Sequence, residues 1–99
     1  MAKFRTLDLA IKFYQSAEHE KFPKRHIQDQ FDRALLSVVL NLSEGNAKPT
    51  QKDRRKFIYI SYASLRELQT LLTLTNKLKL LHDSDSLAAH LYRLCKSLD

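Results

Sequence analysis

The chain has 99 residues, 17 of them Lys or Arg and 11 of them Asp or Glu, so its formal net charge is +6. This length predicts one domain over residues 1–99, because typical domains run to roughly 100 to 150 residues. A single cysteine excludes an intramolecular disulfide framework, and no apolar run approaches the roughly 20 residues that span a bilayer. We therefore expect a cytoplasmic protein whose charge favours RNA, DNA or an acidic protein as its partner.

The first half of the chain predicts two helices. One glycine and two prolines leave few turns in the sequence, which is typical of an all-α chain. Apolar residues recur every three or four positions over 7–21, and Phe22-Pro23 ends this first helix because proline disfavours helical geometry in the residue before it. The second helix is predicted over 24–44, with Gly45 as its C-terminal stop.

The second half predicts a long third helix over 51–81, with Thr50 as its N-cap, and a short fourth helix over 84–98. The main apolar row of the third helix is formed by Phe57, Ile60, Ser64, Glu67, Leu71, Leu74, Leu78 and Leu81. A second row widens this surface and comprises Ile58, Leu65, Leu68 and Leu72. Because short connections favour antiparallel neighbours, we predict an antiparallel up-down four-helix bundle.

Two leucines on the second helix suggest assembly. At about 100 degrees per residue, Leu36 and Leu40 project away from the arc that carries Ile27, Phe31 and Val38. One core cannot easily cover both arcs, although two singly exposed leucines would be ordinary on a protein surface. Together with the wide apolar surface of the third helix, this pattern favours a homo-oligomer with Leu36 and Leu40 in its interface.

A line of polar residues lies between the two arcs of the second helix and meets two more on the third. We call this set the polar seam; it comprises Arg33, Ser37, Asn41, Glu44, Ser64 and Glu67. A carboxylate among leucines must be paired or lie at the rim, and Arg33 is the candidate partner for Glu67 or Glu44. The two carboxylates could perform acid-base chemistry, but no nucleophile, metal cluster or phosphate loop accompanies them. We therefore favour a structural role and predict no catalytic residues.

Histidine and cysteine offer no clear chemistry. The four histidines lie on different segments without a ligand spacing, so we expect neither a metal site nor a cofactor. Cys95 follows Leu91 by one turn on the apolar side of the fourth helix, where a buried packing residue is more usual than a nucleophile without a base.

Basic residues gather around the start of the third helix and continue along one of its faces. The candidate nucleic-acid-binding residues are Lys48, Lys52, Arg54, Arg55, Lys56, Tyr59 and Arg66. Cations beside aromatic rings can bind phosphates and stack on unpaired bases. A solvated helix face is the plainer interpretation of the same pattern, so both interpretations stay open.

Several short motifs occur in a characteristic order. They are Phe22-Pro23, Gln30-x-x-Arg33-Ala34-x-x-Ser37-x-x-x-Asn41-x-Ser43-Glu44-Gly45, then Phe57 and Ala63-Ser64-Leu65-x-Glu67. This order resembles the four-helix bundle proteins encoded within 23S rRNA intervening sequences, over roughly residues 7–81. A related branch comprises the accessory variability proteins of diversity-generating retroelements, which form pentameric barrels and work with reverse transcriptase and RNA. Tyr62 departs from the small residue expected before Ala63, and the fourth helix matches poorly.

The resemblance implies a ring-shaped homo-oligomer, with a pentamer favoured. The leading hypothesis is a non-enzymatic oligomeric protein that offers a basic surface to RNA. The alternative is a scaffold or accessory subunit that binds a reverse transcriptase or another acidic protein. An enzymatic function would rest on Glu44 and Glu67 alone.

Overall fold

The computed structural model describes the backbone of residues 2–99 and the side chains of residues 5–99, so Met1 of the predicted domain lies outside the described residues. The helices are α1 (Ala2–Ala17), α2 (Arg25–Ala47), α3 (Gln51–Leu74), α4 (Leu78–Asp83) and α5 (Asp85–Ser97). The predicted all-α four-helix bundle is confirmed: α1, α2, α3 and α5 form it, and the short α4 leads into α5. None of these described helices combines the length and apolar character that crossing a membrane requires.

The first helix occupies an earlier span than the predicted 7–21. It ends at Ala17, because residues 18–21 are charged or imidazole side chains with no apolar group to continue the buried row. Gln28 stabilises the turn that follows: its Oε1 accepts from the Phe22 amide at 2.9 Å and its Nε2 donates to the Glu20 carbonyl at 3.2 Å. Phe22 is buried, with its ring centroid 4.7 Å from that of Phe31.

The second helix continues to Ala47, so the prediction that Gly45 stops it at residue 44 was wrong. Gly45 has no positive φ and is buried inside the helix. The helix ends later because Pro49 disfavours helical geometry at Lys48, which is extended with ψ 140°. Thr50 then caps α3 as predicted, since its Oγ1 accepts from the Asp53 amide at 3.2 Å.

Gly45 serves close packing instead of helix termination. A Cβ atom at this position would lie 2.9 Å from Ile58 Cδ1, 3.1 Å from Phe57 Cβ and 3.2 Å from the Arg54 carbonyl oxygen. These distances are shorter than ordinary van der Waals contact between such atoms. Glycine lets α2 and α3 approach this closely, and a side chain here would require its neighbours on α3 to shift.

The third helix stops at Leu74, so its predicted extension to residue 81 was wrong. Asn76 adopts the left-handed conformation, with φ 58°. The Lys77 amide donates to the Leu72 carbonyl at 2.9 Å, and the Asn76 amide donates to the Thr73 carbonyl at 3.2 Å. This is a Schellman helix end, in which asparagine tolerates the conformation that glycine more often adopts. The predicted 84–98 helix corresponds to α5, and the segment before it forms α4.

The buried face of α3 is the row that was predicted only to widen the apolar surface, and half of the predicted main row lies exposed. Ile58, Leu65, Leu68 and Leu72 are buried, together with the intervening Ser61. In the first row, the residues that lie exposed are Ile60, Glu67, Leu74 and Leu78. A row that contains a carboxylate cannot line a tightly packed core without a partner charge. This explains why the row without Glu67 is the buried one.

Each helix of the bundle packs against two others: α2 contacts α1 and α3, and α5 contacts α3 and α1. The α2–α3 interface is the most extensive. Its contacts run in opposite order along the two helices, from Ser37 with Ser64 to Gly45 beside Ile58, so this pair is antiparallel. The arrangement leaves one side of α3, next to α5, open to solvent.

Candidate nucleic-acid interface

The seven predicted nucleic-acid-binding residues fall into two groups. One group surrounds the α2–α3 connection and comprises Lys48, Lys52, Arg54 and Lys56. The other follows the side of α3 that borders α5 and comprises Arg55, Tyr59 and Arg66. The structure therefore places all seven on or just before α3, but it gives them different surroundings.

Two of the basic residues help to build the connection between α2 and α3. Lys48 pairs with Glu44, with Nζ 2.9 Å from Oε2, and its ammonium lies 5.0 Å from the centroid of the Phe57 ring. Arg54 donates from Nε to the Lys48 carbonyl at 2.7 Å. Because these cations already have protein partners, they offer less free charge to a ligand than the sequence suggested.

The two remaining cations of the first group and the neighbouring Arg55 of the second form what we call the α3 basic cluster, which comprises Lys52, Arg55 and Lys56. All three are exposed, and within the described side chains none forms an ion pair with a carboxylate. Their spacings of three and four residues bring neighbouring positions together on the helix surface. Asp53 is the only acid in this stretch and lies in the first turn of α3, where a negative charge suits the helix dipole.

Tyr59 lies one turn beyond Arg55 and is 40% exposed. Its hydroxyl donates to the Asp99 carboxylate, with the two oxygens at 3.0 and 3.1 Å. This hydrogen bond to Asp99 raises the pKa of the Tyr59 phenol above its ordinary value, because it favours the protonated hydroxyl. The contact connects the end of α5 with the exposed face of α3.

Two residues of α5, Tyr92 and Lys96, join the same surface and were not among the predicted binding residues. The ring centroids of Tyr62 and Tyr92 are 6.1 Å apart with an interplanar angle of 56°, and the Lys96 ammonium lies 5.6 Å from the Tyr92 centroid. We call the combined surface the aromatic strip; it comprises Arg55, Tyr59, Tyr62, Arg66, Tyr92 and Lys96. The spacing of Tyr92 and Lys96 by four residues places them on one helical face, but only the packing of α5 brings that face beside α3.

Arg66 closes one end of the strip and is held by a buried relay. Its Nη1 donates to Gln69 Oε1 at 2.8 Å, Gln69 Nε2 donates to Ser84 Oγ at 2.9 Å, and Ser84 Oγ donates to the Leu81 carbonyl at 2.6 Å. Gln69 and Ser84 are buried, so their polar groups need these partners. The relay fixes the Arg66 guanidinium at the surface and attaches α3 to the start of α5.

The inner part of the polar seam joins α2 to α3. The hydroxyl oxygens of Ser37 and Ser64 are 2.7 Å apart, and Asn41 Nδ2 donates to both Ser37 Oγ and the Ser37 carbonyl at 3.0 Å. These half-buried groups satisfy one another where the two helices pack. The contacts support the predicted structural role of this part of the seam.

The outer part of the polar seam differs from the predicted pairing. Arg33 donates to Gln30 Oε1, and Gln30 Nε2 donates to Glu67 Oε2 at 3.4 Å, so Arg33 reaches Glu67 only through Gln30. Glu44 pairs with Lys48 instead of Arg33. Arg33, Glu44 and Glu67 are all exposed, and an exposed charge needs no buried partner. Gln30, which contacts Glu67, lies about 21 Å before Glu44 along α2, so one site does not contain both carboxylates.

The predicted oligomer interface is an exposed apolar arc of α2 that faces away from the core. Leu36 and Leu40 are 45% and 56% exposed, and Ile11 of α1 is 37% exposed. Leu36 and Ile11 border an open groove between α1 and α2 whose volume is about 320 Å³. One bundle therefore leaves this arc of α2 uncovered, as the sequence predicted.

Comparison with known protein families agrees with this architecture and with the motif order. The family model described as 23S rRNA-intervening sequence protein matches residues 3–99. The chain belongs to the 23S rRNA-intervening sequence protein family. The match includes α5, although the motif resemblance reached only about residue 81. Searches among curated proteins and among solved structures found no match.

In this member of the 23S rRNA-intervening sequence protein family, packing explains the motif on α2. Ser37, Asn41 and Gly45 follow one another at spacings of four and therefore share one face of the helix. That face meets α3 through the serine hydroxyl contact at one end and the close approach at Gly45 at the other. The motif thus fixes the relative position of the two longest helices.

The remaining candidate chemical groups of this family member are the thiol and the imidazoles. Cys95 is buried as predicted, with Sγ 3.9 Å from the Ile58 carbonyl oxygen, and burial raises the pKa of its thiol from 9.0 to about 11. His19, His26 and His82 are exposed. Within the described residues, no group of three His, Cys, Asp or Glu side chains could hold a metal ion.

The raised pKa of Cys95 predicts a loss of stability in alkaline solution. The thiol ionises near its ordinary pKa of 9.0 in the unfolded chain and near 11 in the folded chain. Its contribution to the free energy of unfolding is therefore complete below pH 9 and is lost as pH rises towards about 11. In urea unfolding across this pH range, the free energy of unfolding should fall more steeply for the wild type than for Cys95→Ala, which lacks the thiol. Equal pH dependence of the two unfolding free energies would contradict this assignment.

Proposed function

We propose that this protein is a non-enzymatic, oligomeric RNA-binding protein and that the α3 basic cluster is its main phosphate contact. The observation that carries the proposal is the exposure of Lys52, Arg55 and Lys56 without carboxylate partners among the described side chains. Exposed cations without carboxylate partners can replace the counterions of a nucleic acid. The family description names an rRNA intervening sequence and no binding activity, so the charge distribution is the main support.

The absence of catalytic chemistry is part of the same proposal. Glu67 contacts Gln30 in the first half of α2, whereas Glu44 lies near the end of α2 and pairs with Lys48. The Cys95 thiol is buried and its pKa is raised, so little of it is ionised at neutral pH. These surroundings suit packing and surface charge better than general acid-base or nucleophilic catalysis.

Assembly would strengthen a weak contact. We propose an antiparallel up-down bundle that forms a ring-shaped homo-oligomer, for which the resemblance to the pentameric branch favours a pentamer. The exposed apolar arc at Ile11, Leu36 and Leu40 supports an interface at this face, since burying it removes large apolar side chains from water. Several copies of the α3 basic cluster on one ring would then raise the overall affinity for RNA through effective concentration.

The salt dependence of RNA binding tests the proposal. The dissociation constant for a labelled RNA oligonucleotide should be measured by fluorescence anisotropy at about 50 and about 200 mM salt. If three cations of one protomer contact phosphates, the affinity should fall by about 20-fold or more between these conditions, because each contact releases counterions. Absent binding, or binding that does not respond to salt, would contradict an electrostatic RNA surface.

An accessory role beside a reverse transcriptase is the second candidate, because the same exposed cluster is complementary to an acidic protein face. It predicts weak binding to RNA alone and retention of the enzyme on immobilised protein. Loss of that retention in a Lys52→Glu, Arg55→Glu, Lys56→Glu variant would support it. Strong salt-sensitive RNA binding without retention of the enzyme would favour the RNA-binding function instead.

A further inference from the structure

We infer that the aromatic strip binds unpaired RNA bases by stacking, so that the RNA ligand is single-stranded where it crosses α3 and α5. This inference rests on the proposed function and specifies the form of RNA that the basic surface recognises. It also gives a role to Tyr92 and Lys96, which belong to α5 and lie outside the α3 basic cluster.

Three tyrosines of the chain's four lie in this strip, on two adjoining helices. Tyr59 and Tyr92 are 40% and 49% exposed, and Tyr62 is half-buried against Tyr92. The tilt of 56° between the rings of Tyr62 and Tyr92 means that these rings do not stack face to face on each other. Their exposed surfaces can therefore contact a base, and burying the apolar part of each ring favours that contact.

Cations flank the rings along the whole strip. Arg55 and Arg66 are eleven positions apart on α3, about 16 Å along the helix, with Tyr59 and Tyr62 between them. On the α5 side, the Lys96 ammonium lies 5.6 Å from the Tyr92 ring centroid. Alternation of rings with positive charges is the arrangement by which sequence-tolerant proteins bind the bases and backbone of a single strand.

The strip fits an unpaired strand better than a duplex. Bases in an RNA duplex are stacked on one another, and the deep major groove of A-form RNA is closed to side chains. Tyrosine rings on a helix surface therefore reach base faces only where the RNA is unpaired. Duplex RNA could still contact the cations through its phosphates, but it would gain nothing from Tyr59 and Tyr92.

Asp99 places a carboxylate on this surface, where its negative charge repels the RNA phosphates. It accepts the hydrogen bond of the Tyr59 hydroxyl, so a strand that follows the strip must pass close to it. Three cations of the strip outweigh this single negative charge. We expect Asp99→Asn to raise the affinity for single-stranded RNA by a few-fold, because it removes this repulsion without removing a ring or a cation.

The test compares ring loss with ring retention at constant charge. A labelled single-stranded oligouridylate and an RNA duplex of equal length are titrated with the wild type, with Tyr59→Leu/Tyr92→Leu and with Tyr59→Phe/Tyr92→Phe. Because base stacking on an aromatic ring is strong, the leucine variant should bind the single strand about 10-fold or more weakly, with an unchanged salt slope. The phenylalanine variant should bind the single strand like the wild type, and all three should bind the duplex alike.

The outcomes separate this inference from the proposed function. If the wild type and both variants bind the single strand equally and with salt sensitivity, stacking is overturned and the electrostatic RNA surface remains. If the leucine variant loses duplex and single-strand affinity in parallel, stacking is also overturned. If the wild type binds neither RNA, the proposed function and this inference both fail. Circular dichroism of each variant checks that the helices are intact.

Discussion

Substituting Gly45 with valine is expected to lower the free energy of unfolding by about 3 kcal/mol, the upper part of the range for overpacked cores. A β-carbon at this position meets the Phe57 Cβ and the Arg54 carbonyl oxygen at 3.1 and 3.2 Å, and neither is the far end of a flexible side chain. The two methyl groups of valine extend further into α3. The helices must therefore separate, which also weakens the contacts of Ile58.

Gly45→Ala provides a graded comparison. Alanine gains up to about 1 kcal/mol of helix propensity over glycine, which offsets part of the overpacking cost. We therefore expect Gly45→Ala to lower the free energy of unfolding by less than Gly45→Val does. At a helix position without this close contact, alanine would ordinarily stabilise the fold.

Urea unfolding monitored by circular dichroism measures both Gly45 variants. Ser43→Val on the exposed face of α2 is the matched control, since it places valine in the same helix without the steric conflict. If Gly45→Val is as stable as Ser43→Val, the close approach of α2 and α3 at this position is contradicted.

Reversing the α3 basic cluster is expected to reduce RNA affinity by about 100-fold or more at low salt, because each lost phosphate contact removes its share of counterion release. The variant carries Lys52→Glu, Arg55→Glu and Lys56→Glu. Its formal net charge becomes 0, since three substitutions each change the wild-type value of +6 by −2. The fold should survive, because all three positions are exposed and acidic residues near the start of α3 suit its helix dipole.

A second charge reversal controls for net charge. Lys21, Lys24 and Arg25 are exposed and gather at the α1–α2 turn, so reversing them gives the same net charge of 0 at another place. We expect this control to lower RNA affinity by only a few-fold. Equal losses for the two triple variants would indicate attraction by net charge alone and would contradict a contact at the start of α3.

Local sequence signals predicted much of the helical architecture. The Phe22-Pro23 turn, the Thr50 cap and the general positions of α2, α3 and α5 follow from residues that are adjacent or within one turn. The end of α3 was missed because the pattern of leucines continues through Asn76, and an asparagine in the left-handed conformation has no strong signature in a polar segment. Gly45 was assigned to a helix end because glycine commonly stops helices. Its actual role depends on packing between α2 and α3, which the local sequence does not reveal.

The candidate site was predicted only where it lies on one helix. The α3 basic cluster is visible in the sequence because Arg55 and Lys56 follow Lys52 by three and four residues. Tyr92 and Lys96 join the strip through the packing of α5 on α3, and no spacing within α5 reveals that contact. For the same reason, the row of α3 that forms the core could not be chosen by periodicity alone, since both rows have helical spacing.

Light scattering of the full chain, alone and with RNA at low and high salt, tests the proposed oligomeric RNA-binding protein most directly. Each chain contributes 11.6 kDa. We predict a mass several times this value that increases when RNA is added at low salt and returns to the protein-only value at high salt. A particle of 11.6 kDa whose mass is unchanged by RNA at either salt concentration would contradict both assembly and RNA binding.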